Sequence, residues 1–417
     1  MFSKQHSFSQ LIIWTVSLSL LLGVLLLPSI YSNIINMVQA FNTGIETQPN
    51  PMPLYGFFRP NVNKPNCKDF TLGIDFADVY YPSKYFYNGD IYSTSQYDVF
   101  ERPLAYPPIL CFLYNKTLCH LPYPKAVSLQ LFLQIMLLLS ASYYVLSYYR
   151  LSFMAIPVSL IYLIIIFLTP VGLTWVERGQ CDIYPALAIL FFMFAVYESK
   201  ASAFILAAFF ASLKLTIAPF FIQAFILYLL IDFNYKKLFF FFLFAAVILT
   251  TLLIFPQYSI AFLTSVFSVP FVEGITLVNR MPHIVILLIP FLSLLVYLIP
   301  LYLSPRKDLF LKTFLPYSTG LVAIGVLLPP TSWEYRTICF LGFIPMVIAW
   351  LNRYSWDKIY TREFISLFLL FLVVTFHGFW FISAIRPAWE YFIASYIAFY
   401  LAIAVISISR INTQAPH

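Results

Sequence analysis

Two carboxylates three positions apart, Asp75 and Asp78, stand in the one long polar segment of an otherwise apolar chain. Tyrosines crowd behind them at Tyr80, Tyr81, Tyr85, Tyr87 and Tyr92, and Asn88-Gly89-Asp90 and Tyr106-Pro107-Pro108 complete the segment. At this spacing the two acids share a face wherever the segment is helical. Such a pair has three uses: one acid serves as a general base, both hold a divalent ion, or both are solvated loop carboxylates. The tyrosines and the Pro-Pro turn weigh against the solvated reading.

The elements that must position these residues are membrane helices. The chain is 61% hydrophobic and 10% charged, with a mean hydropathy of +0.84, far from the soluble norm of about 25% charged. Its apolar runs bracket the ~20 residues a helix needs to cross the hydrocarbon core, and the alternation of a membrane β-barrel is missing. The sequence predicts an all-α polytopic protein, one integral domain over 1–417, with twelve spans near 11–30, 127–149, 151–170, 183–197, 201–214, 217–231, 238–255, 283–303, 310–328, 337–351, 364–385 and 391–408. Leu27-Pro28-Ser29-Ile30-Tyr31 is a poor cleavage site, so the first span reads as an uncleaved anchor.

With the N-terminus placed inside, the whole net charge of +7 falls on the inner segments, which carry Arg150, Lys200, Lys236, Lys237, Arg306, Lys307, Arg353 and Arg410 among others. That is the positive-inside rule, and it leaves no charge excess to attract a nucleic acid. The first outer loop, 31–126, then holds the acids and reads as short surface helices and turns; a second notable outer loop covers 256–283. Lys200 and Asp232 both lie inside, so the two passes between them get about 15 residues each, or about 23 Å of helix, short of the ~30 Å core. The turn carrying Lys214 must therefore sit below the outer surface. A lysine there reads either as a ligand for a lipid phosphate or as a snorkelling helix end. Arg280 and Arg336 divide evenly between phosphate ligands and interface anchors, and Glu177-Arg178 reads as an ion pair at the rim.

Asp75 followed by Gly89-Asp90, Tyr92 and Tyr106-Pro107-Pro108 resembles the first-loop signature of polyprenyl-phosphate-dependent glycosyltransferases of the GT-C fold, and glycosyltransferase family 87 in particular, the group that includes the mycobacterial α-1,2-mannosyltransferases. Gly179-Gln180, Ala211-Ser212-Leu213-Lys214 and Pro330-Thr331-Ser332-Trp333-Glu334-Tyr335 follow in the same order as that family's later stretches. Cys181-Asp182 stands where the family has Val-Asn, and Tyr335 where it has a histidine. The resemblance implies a bundle of about twelve helices. It implies a multi-pass protein of a bacterial inner membrane with its site on the extracytoplasmic face. Its substrates would be a polyprenyl-phosphate sugar donor and a lipid or glycan acceptor.

That chemistry asks little of the protein. A sugar on a lipid phosphate leaves as a phosphomonoester, so no acid has to protonate the leaving group, unlike the paired carboxylates of glycosidases. Only the acceptor hydroxyl must lose a proton, and cations must neutralise the phosphate. Asp75 is the expected base, and Lys214, Arg280 and Arg336 the phosphate ligands. Asp78, Tyr80, Tyr81, Tyr106, Gln180, Trp333, Glu334 and Tyr335 are expected around the sugar and the acceptor. No cofactor is expected; a metal at Asp75 and Asp78 is possible chemistry that the cations make unnecessary. His120, His283 and His377 have no ligand spacing. The expected state is a monomer. The competing classes are a transporter or flippase of lipid-linked sugars, and a GT-C enzyme acting on protein or polymer. Cys67, Cys111, Cys119 and Cys181 fall outside, where a Cys111–Cys119 or Cys67–Cys119 disulfide is one reading and buried free thiols the equal alternative, and Asn115-Lys116-Thr117 matches the glycosylation pattern.

Overall fold

An apolar chain of this kind must bury its polar groups and turn its hydrocarbon outward, and the helix Tyr123–Tyr148 does both. On one face Gln130, Gln134 and Ser142 are buried; on the other Leu129, Phe132, Leu133, Met136 and Leu137 are exposed at helical spacing. That inverts the amphipathic pattern of a water-soluble helix. The computed structural model describes residues 25–35, 73–88, 90–92, 104–231, 234–268, 292, 294–299, 307–327, 334–353, 360–378 and 388–413, and among these all regular structure is helical.

The helices used below are α1 Leu25–Ile35, α2 Ile74–Lys84, α3 Pro108–Lys116, α4 Tyr123–Tyr148, α5 Ala155–Leu168, α6 Pro170–Arg178, α7 Ile183–Glu198, α8 Ala201–Leu213, α9 Ala218–Ile231, α10 Tyr235–Leu253, α11 Pro256–Ser268, α12 Lys307–Leu327, α13 Ile344–Arg353, α14 Tyr360–Val373 and α15 Ala388–Thr413. Four stretches are long and apolar enough to cross a membrane: Tyr123–Tyr148, Tyr235–Leu253, Leu309–Leu327 and Ile393–Thr413. A fifth is added if α5 and α6, bent by 72°, count as one. The protein is thus all-helical with four or five candidate spans among the described residues.

At the centre stands α7, which is buried on nearly every side from Ile183 to Tyr197 and packs against α4, α8, α13 and the 3₁₀ segment Glu334–Phe343. A helix that is apolar all round belongs in such a place. Gly342 lets the 3₁₀ segment lie directly on the α7 backbone, since a Cβ there would run into the Ala186 carbonyl oxygen. Ten residues of 3₁₀ helix is long for that geometry.

Several expectations are corrected. The span expected at 151–170 ends at Leu168, because Thr169 turns extended and Pro170 starts a new helix, α6, in another direction. Thr169 caps it by accepting from the Gly172 backbone N–H at 3.2 Å. The span expected at 337–351 begins as 3₁₀ helix and becomes α only at Ile344. The described part of the first anchor runs to Ile35, beyond the expected end at 30. The outer loop expected at 256–283 starts as helix α11, whose Tyr258 hydroxyl donates to the Phe86 carbonyl and whose Ser265 hydroxyl donates to the Leu104 carbonyl; its remainder lies outside the described residues.

The short helices of the first loop are not surface helices: Phe76, Ala77, Val79 and Tyr80 in α2 and Leu110 and Cys111 in α3 are buried. Cys111 and Cys119 are free thiols, each pushed up to about 12 chiefly by burial, while Cys67 lies outside the described residues. The Asn115 amide nitrogen, which glycosylation would have to take, donates to the Ser83 carbonyl at 2.8 Å.

The two ends of the bundle carry different chemistry. At one end Glu198 accepts from Tyr148 at 3.0 Å, Tyr149 at 2.8 Å and Arg353 at 2.7 Å, with Lys200 over the Tyr148 ring. These are residues that the charge count assigns to the inner side. At the other end of α7, about 24 Å away at 1.5 Å per residue, lies Asp182.

The Thr169 cap directs the chain toward that second end, so its removal has a defined cost. Thr169→Ala leaves a buried N–H without an acceptor and should destabilise the protein by about 0.5–2 kcal/mol. Thr169→Ser should be near neutral. The melting temperatures of the detergent-solubilised variants check this, and equal melting of all three would refute the cap.

Candidate functional site

The site is built on the way α6 ends. Gly179 has φ of 65°, its N–H donates to the Val176 carbonyl at 3.0 Å, and the next N–H, of Gln180, donates to the Trp175 carbonyl at 3.2 Å. This is a Schellman stop, which needs the left-handed conformation that glycine adopts without penalty. Glycine is also required for space, since a Cβ would come within 2.8 Å of the Phe76 Cβ. The stop places Arg178, the last helical residue, and Gln180, the first beyond the turn, beside the start of α2. There the Gly73 N–H donates to the Glu177 carbonyl at 2.6 Å, and the Tyr123 hydroxyl donates to the Gly73 carbonyl at 2.6 Å. Asp75 occupies the first turn of α2, where an acid is favoured by the helix dipole.

Four buried charges meet here. Arg178 grips Asp75 as a fork, Nε donating to Oδ2 at 2.5 Å and Nη2 to Oδ1 at 2.9 Å. Gln180 Nε2 donates to the same Oδ2, and its Oε1 accepts from Lys214 Nζ at 2.7 Å. Lys214 Nζ also pairs with Asp182 Oδ1 at 2.9 Å. The amide of Gln180 thus links an acid on one side to a cation on the other, and its orientation follows from that chemistry. The Gln180 backbone carbonyl accepts from Gln130 at 3.3 Å and Gln134 at 3.1 Å, both in α4. Lys214 arrives from the end of α8, where the chain turns extended.

Of the residues expected from sequence, Asp75, Gln180 and Lys214 therefore come together. Tyr106 joins them, with its ring 5.9 Å below Lys214 Nζ and its hydroxyl 3.5 Å from Gln180 Oε1. Asp78 is buried one turn further along α2. Arg336 is half-buried at the start of the 3₁₀ segment, and its charge, with those of Asp182 and Lys214, acts on the buried Cys339 thiol.

Tyr80 is placed differently from the expectation. Tyr80 is fully buried between Phe76, Tyr81 and Tyr123, with its hydroxyl donating to the Leu121 carbonyl, so its ring has no face left for a ligand. Tyr81 stacks on Tyr123 at 5.6 Å, and burial with the neighbouring Tyr80 pushes its phenol up to about 12. Arg280 and Trp333 lie outside the described residues, as do the side chains of Glu334 and Tyr335. No group of three or more His, Cys, Asp or Glu able to hold a metal occurs among the described residues.

Two site residues differ from the sequence reading. Arg178 is buried against Asp75, not left at a rim, and Asp182, which the sequence marks only as a departure from the family's Val-Asn, is the partner of Lys214. The available signal was that both ionisable residues flank Gln180 between two apolar helices, where each needs a partner.

Chemically, the arrangement gathers two carboxylates and two cations around one amide, the group types that a proton transfer and an anion would need. Comparison with protein-family models, with curated proteins and with solved structures yields no match to this chain.

Breaking one partner out of a buried ion pair strands the other. Asp182→Asn should therefore cost about 3–5 kcal/mol of stability, and adding Lys214→Met in the same molecule should recover most of it. Apparent melting temperatures in detergent report both numbers; strictly additive losses would show that the pair is not coupled.

Proposed function

We propose that this protein is an integral membrane glycosyltransferase of the GT-C type, similar to family 87. In this reading it moves a monosaccharide from a polyprenyl-phosphate donor to a lipid or glycan acceptor with inversion. The single observation that carries the reading is the convergence of Asp75 and Lys214 on Gln180, in the order of motifs that the resemblance implies. Asp75 takes the proton of the acceptor hydroxyl as that oxygen bonds to the anomeric carbon. The bond from that carbon to the phosphate oxygen breaks, and its electron pair leaves on the lipid phosphate. Lys214 neutralises the growing charge, assisted by Arg336 and Arg280. Tyr106 and Trp333 border the sugar. The full twelve-helix bundle belongs to this proposal, as does a site on the outer face of a bacterial inner membrane; the gathering of Arg353, Glu198 and Lys200 at the opposite end supports that orientation.

One observation favours a second reading. Buried ion pairs of both signs, such as Asp75–Arg178 and Lys214–Asp182, are also what an ion-coupled carrier or flippase of lipid-linked sugars uses.

One set of variants separates the two. With the protein in nanodiscs and labelled polyprenyl-phosphate hexose as donor, Asp75→Asn should lower transfer by about 10²–10⁴-fold while the protein still elutes as a single species. Near-normal turnover would end the role of Asp75 as base. Flux of label across vesicles without any transfer would favour the carrier.

A further inference from the structure

The base of the proposed reaction is held in a form that cannot perform it. Both oxygens of Asp75 accept from Arg178, at 2.5 Å and 2.9 Å, and Gln180 adds a further bond to Oδ2. A carboxylate bound by three N–H groups is a weak proton acceptor, and the guanidinium occupies the edge a hydroxyl would approach. Both partners are buried, so water does not loosen the grip. Lys214 differs: it is held by Asp182 and the side-chain Oε1 of Gln180, and an ammonium has a third N–H to offer without giving up either.

Resting on the reading above, we propose that Arg178 is a ligand of the donor phosphate, and that the phosphate uncovers the base by taking Arg178 away from Asp75. The fork that fits a carboxylate fits a phosphate equally well. Gln180 remains on Oδ2 after the exchange, so the freed carboxylate keeps its position. A donor diester carries one negative charge, and the departing monoester gains a second as the bond to the sugar breaks. The hold of Arg178 on the phosphate therefore strengthens along the reaction, while Asp75 receives the acceptor proton and loses its need for a counter-charge. When the lipid phosphate departs, Asp75 returns the proton to solvent and Arg178 closes on it again. Without donor the base is masked, which keeps the acceptor from being activated to no purpose.

The exchange has a signature that a merely structural ion pair lacks. Binding of a polyprenyl monophosphate to the full-length protein in nanodiscs, followed by tryptophan fluorescence with the neutral polyprenol as control, should be at least tenfold weaker in Arg178→Gln. In Asp75→Asn, which removes the competing carboxylate, it should be several-fold tighter. Arg178→Lys keeps the buried charge and should fall between Arg178→Gln and wild type, so it carries the test where Arg178→Gln does not fold. Wild-type affinity in the Arg178 variants, or no gain in Asp75→Asn, overturns the exchange. If Asp75→Asn is dead in transfer and the Arg178 variants bind normally, only this inference falls. If Asp75→Asn transfers sugar normally, the role of Asp75 as base falls with it; if the wild-type protein transfers none, the glycosyltransferase reading falls.

Discussion

Charges buried in a helical bundle have to neutralise one another, and here the neutralisation runs through a single amide. Gln180 donates to Asp75 and accepts from Lys214; Arg178 and Asp182 close the two ends. Taking these ions out of water is costly unless geometry and hydrogen bonding are both good. The surrounding fold supplies both: α2 docks its first turn on the end of α6, α4 offers two glutamines to the Gln180 backbone, and α8 stops where Lys214 is needed. Shifting any of these elements would leave a charge stranded.

The stop at Gly179 is what makes the amide available. An α6 that continued would carry Gln180 round the helix axis and away from Asp75. The turn also permits the close approach of α2, because no Cβ stands between Gly179 and Phe76. Local backbone chemistry and packing of the first loop are therefore one constraint. The aromatic cluster of Phe76, Tyr80, Tyr81 and Tyr123 belongs to the same constraint: it packs behind α2, so two of the tyrosines that stood out in the sequence, Tyr80 and Tyr81, help to hold the acid in place.

Membrane chemistry explains why the polar groups are drawn together. Along α4 the amides of Gln130 and Gln134 and the hydroxyl of Ser142 are turned inward, Leu129, Phe132, Leu133, Met136 and Leu137 face outward, and the exposed tyrosines Tyr143, Tyr144 and Tyr148 lie near its C-terminal end. Glu198 at the far end of α7 gathers its own donors in the same manner. The bundle thus has two polar poles joined by apolar helices, and the proposed chemistry belongs to the pole that holds the acid of the first loop.

The sequence by itself determined the helical, membrane-like character, because composition and run length follow from the energetics of burying hydrocarbon and need no tertiary detail. It also singled out Asp75 as an acid of the polar first loop, Gln180 through the family resemblance, and Lys214 with the stunted helices on either side of it, because an ionisable residue in an apolar stretch and a span that is too short are visible in one dimension. Only the tertiary structure decided who pairs with whom. Arg178 reads as a rim cation until the Schellman stop aims it at a residue 103 positions earlier, and Asp182 is inconspicuous until α8 delivers Lys214 to it. The 3₁₀ segment laid on α7 and the burial of the first-loop helices were equally hidden. Each depends on how closely two backbones approach, a quantity that residue type and spacing do not encode.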